Sequence, residues 1–80
     1  MNTVYAIGCF YPQTSSIAEL GTLPTEEEAR AYCARGTRVS GSNKTMKIVK
    51  LLATEKSGEV IAFYKNGVEC SYEESIRKDG

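Results

Sequence analysis

Cys9, Cys33 and Cys70 are the side chains in this sequence best suited to nucleophilic or metal chemistry, and no histidine stands anywhere in the chain to assist them. A thiol becomes a good nucleophile when a neighbouring base or positive charge favours its thiolate, and the usual base is missing here. Zinc fits no better, because there is no C-x-x-C pair and no histidine to complete a four-ligand set. An odd number of widely spaced cysteines is not a disulfide framework. Met1 to Phe10 has neither a basic start nor a long apolar run of the kind that opens a signal peptide. A reducing cytoplasmic setting is therefore expected, with all three thiols serving as small buried hydrophobes. The carboxylates Glu26, Glu27 and Glu28 are adjacent at a helix start, where capping accounts for them without acid–base catalysis. No enzyme activity, cofactor or bound metal is expected, and no membrane association.

The charges are more informative. Lys+Arg and Asp+Glu are both 10, so the net charge is zero, which argues against a dedicated nucleic-acid binder and equally against a mimic of DNA. Yet from Arg30 to Lys50 every charged residue is basic. Arg30, Arg35, Arg38, Lys44 and Lys47 are the expected partner-binding residues, facing a protein with an acidic or nucleic-acid-binding surface. A solvated surface without a partner is the plainer reading of the same run. A third assigns Arg35, Arg38, Lys44 and Lys47 to phosphates and Tyr or Phe rings to base stacking, in a small nucleic-acid- or nucleotide-binding protein. The loop between them is rich in Gly, Ser and Asn, but Gly36, Gly41 and Lys44 lack the spacing of a phosphate-binding loop.

These residues must be held by a single small domain spanning residues 1–80. Lys44–Thr54, Glu59–Lys65 and Val68–Tyr72 read as an antiparallel meander. Its second turn is Asn66-Gly67, which supplies two central residues of positive φ, and its first is Glu55-Lys-Ser-Gly58. Asn2–Tyr11 is a strand by composition and is stopped by Pro12. Alternation places Val4, Ala6, Gly8 and Phe10 opposite Tyr5, Ile7, Cys9 and Tyr11; the small pair Ala6 and Gly8 is expected beneath the helix, with a β-bulge at Gly8 as the other explanation of that glycine. Gln13–Ser16 is a turn, and Ile17–Thr22 a short strand hairpinned to the first.

Thr25 as N-cap and Glu28 three residues later form a capping-box pattern. The helix is expected from Glu26 to about Arg35, with Gly36 as a left-handed stop and Ala29, Tyr32, Cys33 and Gly36 on its buried stripe. Residues 73–80 are charged and are expected to form a frayed tail or a single helical turn. The fold class is α+β: an antiparallel sheet of four or five strands with one helix packed on one face.

Such a chain has a thin core, since a domain this small buries only about 60–65% of the surface its unfolded chain would expose. Met46, Ile48, Lys50 and Leu52 alternate with Lys47, Val49, Leu51 and Ala53, and both sets are partly apolar. The same holds in the next strand, where Val60, Ala62 and Tyr64 alternate with Ile61, Phe63 and Lys65. Strands apolar on both faces imply an interface, and a homodimer is one way to supply it.

The order of elements and the phrases Val4-Tyr5-Ala6-Ile7, Ile17-Ala-Glu-Leu20, Glu28-Ala-Arg30 and Tyr64-Lys-Asn-Gly67 resemble a small phage anti-CRISPR family that blocks the type I-F surveillance complex. The resemblance covers most of the chain as a pattern. The family is more basic, whereas the helix here opens with three glutamates. What the resemblance implies is a non-catalytic, phage-encoded inhibitor that occludes the surface of a host defence complex. From the residues themselves, a protein-binding inhibitor or adaptor is the expected class.

Overall fold

In the computed structural model of this chain, which describes residues 2–10, 17–38 and 44–76, Asn66 and Gly67 take φ values of 57° and 84°. These are the left-handed conformations of a two-residue type I′ turn. The turn joins β4 (Glu59–Lys65) to β5 (Val68–Cys70), with Lys65 paired to Val68 and Tyr64 to Glu69. The remaining strands are β1 (Thr3–Phe10), β2 (Ile17–Leu23) and β3 (Thr45–Leu52). Together they form one five-stranded sheet in the order β2-β1-β3-β4-β5, and every neighbouring pair is antiparallel. Helix α1 (Glu26–Thr37) connects β2 to β3. The fold is α+β, as composition and patterning imply.

β3 is the central strand, which explains why both of its faces are partly apolar. It ends at Leu52, and the first meander turn begins earlier than the Gly58 signal suggests, with Glu55 N–H donating to the Leu52 carbonyl at 2.9 Å. Gly58 has a different duty: a Cβ at that position would collide with the Lys50 carbonyl oxygen. The turn expected at Gln13–Ser16, residues 39–43 of the following loop, Tyr11, and residues 77–80 of the tail lie outside the described residues.

The core joins Ile7 and Cys9 of β1, Met46 and Ile48 of β3, and Ala62 and Tyr64 of β4 to Ala29 and Cys33 of α1. The helix thus covers the Ile7/Cys9 face, and the expectation that it lies over Ala6 and Gly8 is corrected. Burying Ile7 and Cys9 removes more apolar area from water than burying Ala6 and Gly8 would. The close approach is made possible from the helix side instead, by Ala29, Cys33 and Gly36. Gly36 is inside α1 rather than its left-handed stop; a Cβ there would sit 2.6 Å from Met46 Cε. The helix runs on to Thr37, and Arg38 closes it in ordinary right-handed geometry (φ −78°, ψ −13°). Its buried row is Ala29, Cys33 and Thr37 at intervals of four. Tyr32, expected in that row, falls to the outer side and is 43% exposed.

A bulge lies beside Gly8, but it is in β2 and not at the glycine itself, which keeps regular register with β3. The β1–β2 register shifts between Ile7 and Gly8, which pair with Gly21 and Glu19, so Leu20 is the extra residue. Gly21, at φ 128°, absorbs the distortion. A second shift lies between Ile48 and Val49, paired with Ala62 and Val60, leaving Ile61 as the extra residue of β4.

Of the two forms expected for the C-terminal segment, the frayed tail is corrected as far as Ile76: Tyr72–Ile76 is a helical turn, α2. Ser71 caps it, its Oγ accepting the Glu74 N–H at 3.2 Å. The turn is anchored because Thr45 Oγ1 donates to the Ser75 carbonyl at 3.0 Å, and the Tyr72 ring packs on Phe63 with centroids 5.4 Å apart. These contacts place α2 on the sheet face opposite α1.

Candidate functional site

The basic residues singled out in the sequence do not form one surface. Arg30 is committed within the fold. Its Nε donates to Glu26 Oε2 at 2.8 Å, one helical turn back, while Nη1 reaches Glu69 Oε1 at 2.8 Å and Tyr64 Oη at 3.3 Å. The bonds to Glu26 and Tyr64 and the charge of Glu69 hold the guanidinium's pKa above its ordinary value. Arg30 therefore clamps α1 to β5. Lys47 is removed for another reason. It pairs with Gly8 and Phe63 in the sheet, and strand alternation turns it away from Met46 and Ile48, onto the face that α1 does not cover.

Arg35, Arg38 and Lys44 remain at the end of the molecule where α1 finishes. Tyr32, Arg35 and Arg38 follow one another at intervals of three along the outer side of α1, and all three are exposed. Among the described residues neither Arg35 nor Arg38 has an acidic group within ion-pair distance. Arg38 lies across the β4–β5 turn, its Cβ and Nε each 3.3 Å from where a Gly67 Cβ would be. Lys44 precedes β3 at the same end of the sheet and is half-buried.

The platform under these cations is rigid. Thr37, fully buried, donates its hydroxyl to the Cys33 carbonyl at 2.8 Å and accepts the Gly67 N–H at 3.0 Å. The last turn of α1 and the β4–β5 turn are thereby bolted together. Two cations at a helix C-terminus also complement its dipole, so the arrangement is stable before any partner arrives. Tyr32 is the residue of this surface that sequence reasoning missed. The interval of three to Arg35 was legible, but nothing in the sequence decided which side of the stripe the ring would take.

The thiols are unsuited to chemistry. Cys9 and Cys33 are buried in the core and Cys70 is half-buried in β5. Burial pushes the Cys33 thiol up to about 11, and the nearby Cys9 adds to that. Burial likewise raises Cys9, with Lys44 opposing it, and raises Cys70. Among the described residues no group of three or more His, Cys, Asp or Glu is placed to hold a metal ion, and no helix is long and apolar enough to cross a membrane.

No protein-family model, curated protein or solved structure matches this chain.

Proposed function

We propose that this protein acts by stoichiometric binding to a protein partner, as a non-catalytic inhibitor or adaptor, through the basic end of α1. The observation that carries the reading is the pair Arg35 and Arg38, exposed at the helix end and, among the described residues, without an acidic group within ion-pair distance, while Arg30 one turn and a half earlier has two. Their charge is left available to a partner. Exposed cations of this kind speed encounter with an acidic surface and make binding depend on salt. A phage-encoded inhibitor occluding an acidic or nucleic-acid-binding surface of a host defence complex is one protein of this class. Arg30 and Lys47 belong outside the binding set.

One observation favours a second reading. The exposed Tyr32 ring stands one turn before Arg35, an aromatic beside a cation, which is the minimal platform for stacking a base of single-stranded nucleic acid.

The test begins with affinity capture of partners from host cytosol, with bound nucleic acid examined alongside protein, followed by titrations of variants against the captured partner. Reversing Arg35 and Arg38 to Glu should leave the fold intact and weaken the complex by more than about tenfold, less so at high salt. Reversing Glu73 and Glu74 on α2 should do little. An arginine reversal without effect, together with loss of binding on substitution in the sheet, sinks the helix-end reading. Binding of an oligonucleotide that depends on Tyr32 selects the second.

A further inference from the structure

Ala29, Cys33 and Thr37 turn one side of α1 to the sheet. At about 3.6 residues per turn, Ala31 lies close to the line directly opposite Cys33. Around that line Glu27, Glu28, Ala31, Tyr32, Arg35 and Arg38 are all exposed. The charges on this outer side are segregated along the helix. Both glutamates stand in the first turn, Arg35 stands in the last and Arg38 is the cap, with alanine between the two signs. The helical repeat also divides them sideways, Glu28 and Arg35 to one flank of Ala31 and Glu27 and Arg38 to the other. Within one chain the two signs are too far apart along the axis to pair, and the ion pairs among the described residues are those of Arg30.

We infer that this face meets the same face of a second copy, the two α1 helices packing antiparallel about a two-fold axis at Ala31. A two-fold axis perpendicular to the helices reverses the direction of one and keeps each flank beside the same flank of the other. Residues equally far before and after Ala31 then stand opposite one another. Glu28, three before it, meets the partner's Arg35, four after it, on one flank. Glu27, four before, comes within one turn of the partner's Arg38, seven after, on the other. The axis repeats both contacts, so charged pairs line each flank of an Ala31–Ala31 contact and fix its orientation. Alanine at the crossing lets the backbones approach at the short end of the usual helix spacing. The two Tyr32 rings, one residue past the axis on the same flank, fall beside each other. Parallel packing would set glutamate against glutamate and arginine against arginine, so charge alone selects the antiparallel form. α2 is no obstacle, because it packs over Phe63 and Thr45 on the far side of the sheet. One helix face with little apolar area makes a weak dimer that exchanges with monomer and loosens in salt.

The inference rests on the reading of the helix end as a binding surface and adds its regulation: self-association withholds Arg35 and Arg38 from any other partner. Sedimentation equilibrium of the purified chain at low salt, over a range of concentrations, should show monomer–dimer exchange. Glu27→Lys and Arg38→Glu, each checked for native circular dichroism, should each weaken the dimer about tenfold, because each turns two attractive contacts into repulsive ones. Mixing the two should restore association as a heterodimer, since position 27 of either copy then faces the opposite charge at position 38 of the other. Ala31→Arg should abolish association and leave the helix intact, because arginine is a good helix former at an exposed position and two copies of it would meet on the axis. A wild type that stays monomeric at the highest concentrations reached overturns the proposal. So does a dimer indifferent to Ala31→Arg, or a mixture that fails to recover. The partner reading fails separately. Glu27→Lys keeps both arginines and should bind the captured partner at least as tightly as the wild type, whereas a partner complex indifferent to Arg35 and Arg38 would leave the self-contact standing and overturn its regulatory role.

Discussion

The Thr37 hydroxyl accepts the Gly67 N–H at 3.0 Å, and through that one bond the end of the helix and the tip of the β4–β5 hairpin become a single rigid corner. Thr37→Val keeps the shape of the side chain and removes the hydroxyl, leaving a partly buried N–H without its acceptor. An unpaired group of this kind costs about 1–3 kcal/mol. Urea unfolding should show a loss of that size, and hydrogen exchange at Gly67 should quicken. A variant as stable as the wild type would mean that the corner is held by packing alone.

Gly67→Val should cost more than about 1 kcal/mol, because a β-branched residue is poorly tolerated at φ 84°. Its Cβ would also press on the Arg38 side chain. The melting temperature should fall, and a value unchanged from wild type is incompatible with the type I′ turn.

Thr25 both accepts the Glu28 N–H at 3.2 Å and donates its hydroxyl to Glu28 Oε2 at 3.0 Å. Thr25→Ala should therefore cost about 0.5–2 kcal/mol, and Thr25→Ser should cost little. Thr25→Asp, ordinarily a good cap, should recover only part of the loss at neutral pH, since its carboxylate cannot donate to Glu28 and faces that residue's charge. Thermal melts of the three variants decide the order; Asp equal to Ser would contradict it.

The Cys33 thiol, raised from its ordinary 9.0 to about 11, makes stability depend on alkaline pH. Between those values the folded chain keeps a proton that the unfolded chain has lost. Stability is therefore complete below about pH 9 and declines as pH rises toward 11, by about 2 kcal/mol at about pH 10.5 from this thiol alone. Cys9 and Cys70 act in the same direction. The slope should be visible in urea midpoints measured against pH and should flatten in Cys33→Ala. A neutral-pH thiol reagent should modify Cys70 first, with Cys9 and Cys33 reacting only on unfolding. Rapid modification of Cys33 in the native protein would show that the core opens far more often than its packing implies.

Much of the fold was legible in local chemistry. Asn66-Gly67 determines a tight turn because few other dipeptides accept two left-handed conformations, and Thr25 with Glu28 determines a helix start because the first N–H groups need an acceptor. The alternation of Met46 to Leu52 on both faces marked β3 as central. Interactions of this range are contained within a few residues. The decisions that escaped were those between distant segments. Which face of β1 the helix would cover depended on the apolar area of Ile7 and Cys9 competing with the closer approach offered by Ala6 and Gly8. Gly36 read as a helix stop by residue type, yet the position of Met46, ten residues on, made it a packing site. The basic run from Arg30 to Lys47 looked continuous because a sequence is one-dimensional. Tertiary structure divided it: Glu69 of β5 neutralised Arg30, the pleat sent Lys47 to the far face, and Arg35 and Arg38 stayed exposed together, with no acidic group among the described residues within ion-pair distance.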